Sequence, residues 1–311
     1  MKATRDRVVI FSDEPGWHGR QLRSRFAEAG FAADYVSLSA CSMSLNHDEN
    51  GAGELINIPG FSLHTLKGAF VRGVPGGSLE EVIFRLNILH ALTTLGIPVF
   101  NEGRAIERTV DKSMTSLLLK THGLPTMDTW VTESKEQAQS IARECIAEHG
   151  SVVVKPLFGS QGNGVQRIRS EAAFSLLEPV NGVYYLQAYV RPDGDTYRDW
   201  RVFVIESQAV AAMQRSSRHW VTNRAQGAIC EPFQPDRSLM ELAEAAAGAL
   251  SVDYAGVDLM RDARGNWMVS EVNGIPAWQG LQRACNIDVS AALVSAFLRK
   301  ADTSRSIAAS A

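Results

Sequence analysis

Apolar and polar positions along this chain recur with two periods, and the changes from one to the other mark out the elements. Residues 7–12, Arg-Val-Val-Ile-Phe-Ser, form a short apolar run of the kind that buried strands show. Between Gly16 and Gly30, Leu22, Phe26 and Ala29 return at helical spacing, which predicts a helix with those three inward and Gly30 at its C-terminus. Strands are expected at 33–38 and at 69–72, separated by a polar, glycine-containing stretch over 41–60 that reads as loop with short strands. Ser78-Leu79-Glu80-Glu81 has the form of a capping box and predicts a helix over 79–95, followed by a short strand at 97–100. Strand and helix alternate throughout this part, so a small α/β domain with a parallel sheet is expected.

Beyond it, residues 111–122 predict a helix with Leu117, Leu118 and Leu119 apolar, closed by Gly123 and Pro125. A further helix is expected over 134–149, ending at Gly150. The β-branched run Val152-Val153-Val154 predicts a buried strand that ends at Lys155 and Pro156. A strand over 184–190 leads to a turn at Pro192-Asp193-Gly194. Strands over 199–205 and 209–213 are expected to pair antiparallel through Glu206-Ser207. Residues 239–250 form an alanine-rich helix pattern, and 255–260 with 266–272 form a hairpin around 262–265. From Thr303 onward the residues are small and polar, and a frayed tail is expected.

Composition narrows the classes of function. The 311 residues are enough for two or three domains' worth of core, and the formal net charge is −3 with no block of like charge, which argues against a nucleic-acid partner. No apolar run reaches membrane-spanning length and the N-terminus lacks a signal peptide's apolar region, so a cytoplasmic protein with no membrane partner is expected. Cys41, Cys145, Cys230 and Cys285 are far apart and predict reduced free thiols. The first strand is followed by no G-x-G-x-x-G, and no G-x-x-x-x-G-K-[ST] occurs, so neither a Rossmann nor a Walker site is supported.

Candidate chemistry gathers in two places. Lys155 closes a strand and is followed by Gly159-Ser160-Gln161-Gly162-Asn163-Gly164, a glycine-rich flap whose N–H groups could approach an anion; the pair suggests a polyphosphate site. Lys112 stands in a helix's first turn, where a cation is unfavourable unless an anion lies near. Arg72, at a strand's C-terminal end, is a candidate anion contact. In the final hairpin, Asp258 and Glu271 interrupt strands that otherwise read as core, and buried carboxylates are costly unless paired with cations or metal. Glu271 and Asn273, two apart, face the same way, and with Asp258 opposite them three oxygen ligands would converge in a set that suits Mg²⁺. The residues alone leave open a plain pairing of one carboxylate with an arginine such as Arg261.

Taken together, Asp111-Lys112-Ser113, Val154-Lys155-Pro156, the 159–165 flap, Gln187-Ala188-Tyr189-Val190, Asp199-Trp200-Arg201, Ala255-Gly256-Val257-Asp258 and Glu271-Val272-Asn273 resemble the ATP-grasp superfamily, and within it the RimK-like α-L-glutamate ligases. The resemblance implies an ATP-grasp fold: an N-terminal parallel α/β domain (1–105), a lid subdomain with the flap (106–190), a catalytic subdomain (191–300) and the tail (301–311). It implies that Lys112 and Lys155 hold the α- and β-phosphates under the flap, and that Gln187, Ala188, Tyr189 and Val190 form the adenine hinge. Asp199 would lie near the ribose, and Arg201 near the γ-phosphate and the acyl phosphate. Asp258, Glu271 and Asn273 would bind Mg²⁺, two ions being usual and Mn²⁺ an alternative. Arg215 and Asn223 would face the substrate. Three features depart from the usual pattern: Ala188 stands where many relatives carry an acid, Trp200 replaces an aliphatic residue, and the segment after Asn273 reads Gly-Ile-Pro-Ala-Trp-Gln. That last variant is similar to relatives linked to tetrahydromethanopterin biosynthesis.

The activity so implied is an ATP-dependent carboxylate–amine ligase that forms an amide through an acyl phosphate, adding L-glutamate to a small cofactor-like carboxylate, with a homo-oligomer expected. A small-molecule kinase on the same fold and a ligase for protein or peptide C-termini are the alternatives. The 215–224 stretch reads as a polar loop with Arg215, Arg218, His219, Trp220, Asn223 and Arg224; its arginines suit a carboxylate, and Trp220 and Trp278 are expected to offer flat faces to a ring.

Overall fold

The computed structural model describes residues 6–45, 55–159, 162–191, 196–222 and 227–310, with side chains to residue 304. Strand β1 (Arg7–Phe11) leads to helix α1 (Gly16–Glu28) and β2 (Ala32–Val36); the short β3 (Ser42–Met43) and β4 (Ile56–Asn57) pair with each other. β5 (Leu66–Val71), α2 (Leu79–Thr94) and β6 (Val99–Phe100) complete a parallel sheet in the order β2-β1-β5-β6, as the alternation of strand and helix predicts. The capping box forms: the Ser78 side chain accepts from Glu81 N, and the Glu81 carboxylate accepts from Ser78 N. Ala29 is exposed rather than inward, because α1 ends at Glu28 and Gly30 takes the left-handed backbone beyond it.

Two helices meet at Asp111. α3 (Gly103–Val110), which the sequence pattern does not predict, ends there, and α4 (Lys112–Thr121) begins, with Asp111 Oδ1 accepting from Ser113 N and Met114 N. β7 (Thr129–Thr132), α5 (Lys135–His149), β8 (Val152–Lys155), β9 (Gln166–Ile168), α6 (Glu171–Ser175) and β10 (Tyr184–Ala188) build a second sheet, β7-β10-β8-β9, antiparallel throughout. β10 is shorter than predicted, so Tyr189 and Val190 leave the strand.

The third sheet orders β11 (Tyr197–Ile205), β12 (Gln208–Ser217), β13 (Ile229–Phe233), β14 (Tyr254–Arg261) and β15 (Trp267–Asn273) as β13-β12-β11-β14-β15, all antiparallel, with α7 (Arg237–Leu250) across one face. β12 runs four residues past its predicted end, so Arg215 belongs to a strand and not to a loop. α8 (Gln279–Cys285) and α9 (Val289–Ser310) follow; the stretch expected to fray is helical through Ser310. No helix among the described residues is long and apolar enough to cross a membrane, and the four cysteines are free thiols.

What positions the site is the joint between the first and third sheets. Phe70, Phe100, Phe203, Tyr254 and Phe297 share one core cluster, each contributing about 1.5–3 kcal/mol on burial. Asn101, fully buried, satisfies all of its polar atoms across this joint: Nδ2 donates to Tyr254 O (2.8 Å) and Gly274 O (2.6 Å), and Oδ1 accepts from Asp253 N and Tyr254 N. Lys300 of α9 donates to Asp253 Oδ1 (2.9 Å), Glu102 Oε1 (3.0 Å) and Val99 O (3.1 Å). The N-terminal sheet is thereby fixed to the open end of the β14–β15 pair, where β14 begins and β15 ends.

Candidate active site

A cavity enclosing about 1100 Å³, its mouth included, opens between the second and third sheets. The second sheet and the flap supply Lys155, Gly159, Gly162, Asn163, Gln187, Ala188, Tyr189 and Val190; α4 supplies Lys112; the third sheet supplies Asp199, Arg215, Asp258 and Glu271. All thirteen are residues the motifs single out. Gly164 is not part of the lining; its φ of +72° and a closest approach of 2.8 Å between a Cβ there and Pro156 Cγ make any side chain strained at this position. Ser160, Gln161 and Asn223 lie outside the described residues.

Period-two alternation explains why so many charges meet. On β11, β12 and β14 every second residue points away from α7, which puts Asp199, Arg201, Arg215 and Asp258 on one face. Strand register sets Asp258 opposite Glu271, and Gly256 opposite Asn273, which meets the condition the sequence left open. A bulge between Asp258 and Leu259 lets Val269 and Val272 both face α7 while Glu271 turns to the cavity.

The charges are paired in an order the sequence does not show. Arg201 grips Asp258 with two bonds (Nε to Oδ1 2.6 Å, Nη2 to Oδ2 2.7 Å), and Arg215 Nη2 reaches Asp258 Oδ2 at 3.0 Å. The partner left open as Arg261 is therefore Arg201 with Arg215; Arg261 instead stacks over Trp267. Burial alone would raise the Asp258 carboxyl, but the two guanidinium groups reverse this and hold it below the usual carboxylate range. Arg215 also holds Asp199 through Nε (2.7 Å to Oδ1) and Nη2 (2.6 Å to Oδ2). The pKa of Arg215 is raised, since Asp258 and Asp199 outweigh the desolvation that would lower it.

Across the cavity, Lys155 Nζ donates to Gln187 Oε1 (2.7 Å), and Lys112 Nζ donates to Gly159 O (2.7 Å), tying α4 to the flap's first residue. Desolvation lowers the pKa of Lys155 to about 8, with Glu271 opposing it and Lys112 adding to it; desolvation lowers Lys112 as well. These are ammonium groups short of an anion. Among the described residues Glu271 has no hydrogen-bond partner, and Asn273 uses only Nδ2, toward Gly256 O (3.4 Å). A carboxylate and an amide oxygen left unsatisfied beside each other fit a divalent cation, whereas both oxygens of Asp258 are held by arginine.

Other expectations are corrected. Trp278 is fully buried, donates Nε1 to Ser290 Oγ (3.1 Å) and packs edge-on against His18 and Phe203, so it is core and offers no platform to a substrate. Arg72 lies 4.6 Å from the Trp278 ring and donates to Pro276 O (3.0 Å); it fastens the loop after β15 and is not an anion contact in the cavity. Trp220 does line the cavity, edge-on to Tyr189. Met127, Val153, Met260 and Thr222 also line it, outside every motif; the methionines carry no local signal that separates a wall from a core.

A family model described as the RimK-like ATP-grasp domain matches residues 109–297. The tetrahydromethanopterin:α-L-glutamate ligase of Methanococcus maripaludis is 30% identical over 305 residues, covering 95% of this chain and 99% of that protein. The α-aminoadipate–LysW ligase LysX of Sulfurisphaera tokodaii is 31% identical over 236 residues, 70% of this chain and 80% of its own. Among solved structures, the ATP-grasp ligase PsnB complexed with minimal precursor, Mg and ADP superposes with a TM-score of 0.72 at 19% identity, covering 96% of this chain and 98% of that one. The motifs that meet in the cavity, the matched domain and the full-length relatives agree: this chain belongs to the RimK-like ATP-grasp family of ligases.

Proposed function

We propose that the protein is an ATP-dependent acid–amino-acid ligase that joins L-glutamate to a small, cofactor-like carboxylate. The observation that carries this reading is the pairing, across one cavity, of two desolvated lysines with a carboxylate-and-arginine face, in a chain with relatives over nine-tenths of its length that are named as glutamate ligases.

In this reading Lys112 and Lys155 bind the α- and β-phosphates as point charges, Gln187 orients Lys155, and the flap covers the nucleotide. The acceptor carboxylate oxygen attacks the γ-phosphorus, the bond to the β-phosphate oxygen breaks, and ADP leaves. The amine of glutamate attacks the acyl carbon of the acyl phosphate, loses a proton, and expels phosphate to leave an amide. Arg215, which lines the cavity, and Arg201, which shares Asp258 with it, would face the negative charge that spreads over the transferring group, and their fixed geometry would supply stabilisation without reorganisation. Glu271 and Asn273, with Asp258 once an arginine yields to nucleotide, would hold Mg²⁺, which when bound neutralises phosphate charge. A second ion, and replacement by Mn²⁺, are parts of the same proposal. Trp220 is the remaining flat face beside the cavity and favours a cyclic acceptor such as a pterin.

The test is incubation of the protein with ATP, Mg²⁺, glutamate and a panel of pterin carboxylates, other small carboxylates and peptide C-termini, with mass detection of a product heavier by one glutamyl residue. A glutamyl-pterin product, together with a raised acceptor KM but unchanged KM for ATP in Trp220→Ala, supports the reading. Glutamylation of peptide tails alone, or a phosphoester without amide, overturns it.

A further inference from the structure

The family resemblance puts Asp199 beside the ribose. The geometry points elsewhere, and we propose that Asp199 is a positioning residue for Arg215, with Thr222 as the second part of the same device. This rests on the reading of Arg215 as a group that faces the substrate.

Strand register sets Asp199 directly opposite Arg215 across β11 and β12. Both carboxylate oxygens are engaged: Oδ1 accepts from Arg215 Nε (2.7 Å), and Oδ2 accepts from Arg215 Nη2 (2.6 Å) and from Thr222 Oγ1 (2.8 Å). Three of the carboxylate's roughly four acceptor positions are filled, all by groups of this chain. Asp199, Arg215 and Thr222 are all buried. A two-point grip fixes the plane of a guanidinium, not merely its distance. Here it determines which nitrogen is left over: Nε and Nη2 are bound, and Nη1 has no hydrogen-bond partner among the described residues in a side chain that lines the cavity.

The grip also settles a competition. Arg215 Nη2 lies between Asp199 Oδ2 and Asp258 Oδ2, and Asp258 already carries the two bonds from Arg201. Without the Asp199 charge, Arg215 has one anionic partner left and turns onto Asp258. That movement removes Nη1 from the cavity and turns the single Arg215 contact on Asp258 into a fuller grip that competes with Arg201. Thr222 keeps Asp199 from rotating, because its hydroxyl fixes the oxygen that Arg215 Nη2 shares.

Positioning and ribose contact differ in what they do to nucleotide binding. Calorimetry of ATP and of 2′-deoxy-ATP gives a ratio of affinities that a ribose ligand sets and a positioning residue does not. Asp199→Asn is expected to lower kcat by about 100-fold and Thr222→Val by about 10-fold, the range for removal of groups that orient a functional side chain. Neither should change the ATP to 2′-deoxy-ATP ratio. Thr222→Ser should keep the wild-type kcat, and the double variant should be no slower than Asp199→Asn, since Thr222 acts only through Asp199. A ratio that collapses in Asp199→Asn, or losses that add in the double variant, would overturn the proposal. Should Asp199→Asn unfold, Thr222→Val and Thr222→Ser carry the same measurements. A wild type that binds ATP yet forms no amide would count against the ligase reading, while the affinity ratio would still decide the role of Asp199.

Discussion

The two faces of the five-stranded sheet are built from alternate residues of the same strands, yet they have opposite natures. Toward α7, Val202, Val204, Ala212, Val257, Leu259 and Val272 are dry and close-packed. On the other face, at odd-numbered offsets along the same strands, stand Asp199, Arg201, Arg215, Asp258 and Glu271. A polar cluster of this density is stable only where a rigid apolar layer holds its backbone, because Asp199, Arg201, Arg215 and Asp258 each depend on a partner within about 3 Å. One face should therefore set stability and the other chemistry, and substitutions can break or sharpen that division.

The largest effect is expected on the charged face. Glu271→Gln or Asn273→Ala should lower kcat by on the order of 10²-fold or more while leaving the melting temperature nearly unchanged. Steady-state rates in a Mg²⁺-dependent assay, with thermal melts alongside, decide it; wild-type rates would remove both residues from the cation site.

On the dry face the signs reverse. Leu259→Ala empties a fully buried position against α7 and should cost about 2–5 kcal/mol of stability while KM for ATP stays within error. A denaturant titration reads this, and a shifted KM with intact stability would mean that the faces are not independent.

Lys155 sharpens the comparison from across the cavity. Its pKa, lowered to about 8, means that the folded protein holds this ammonium's proton less tightly than the unfolded chain does. The burial penalty is present in full below pH 8 and fades as pH rises toward the ordinary lysine value, so stability without nucleotide gains from this group across that window. Phosphate would return the pKa upward, so ATP binding at pH 8 should take up about half a proton. Calorimetry in buffers of differing ionisation enthalpy measures it, and Lys155→Ala should abolish the uptake and weaken binding. Uptake that persists in the variant would assign the proton elsewhere.

The smallest effect belongs to the thiols. Replacing Cys41, Cys145, Cys230 or Cys285 singly by serine or alanine should leave kcat within about twofold, since burial raises the first two to about 11 and none lines the cavity. One inactive variant would reopen covalent chemistry.

Local signals explain why so much of the fold is legible in the sequence. The capping box at Ser78, the valine run before Lys155 and the hairpin around 262–265 are each written in a few adjacent residues. The facing of Asp258 and Glu271 is legible only in part: the turn's register would set Ser270 opposite Asp258, and the bulge beside Leu259 moves Glu271 into that place. What stays hidden depends on distant neighbours. α3 escapes because its only boundary signal, Asp111, serves two helices at once. Arg215 reads as loop because Gln214 to Ser217 carries no apolar alternation, although β11 and β13 pair with it on either side. Trp278 looks like a platform because nothing near it in sequence reveals that Ser290 and His18 enclose its ring.

The return of α9 to the first sheet bears on how the chain acquires its shape during synthesis. Phe297 reaches Phe26 at 5.2 Å and Phe70 at 6.0 Å between ring centroids, and it settles over Gly68, where an added Cβ would come within 2.9 Å of its ring. β1, α1 and β5 leave the ribosome long before α9 is made, so the aromatic surface around Phe26 and Phe70 stays bare through most of translation. A nascent chain stalled before Val289 would carry an uncovered, sticky sheet, the kind of surface that chaperones bind and that drives aggregation when they do not.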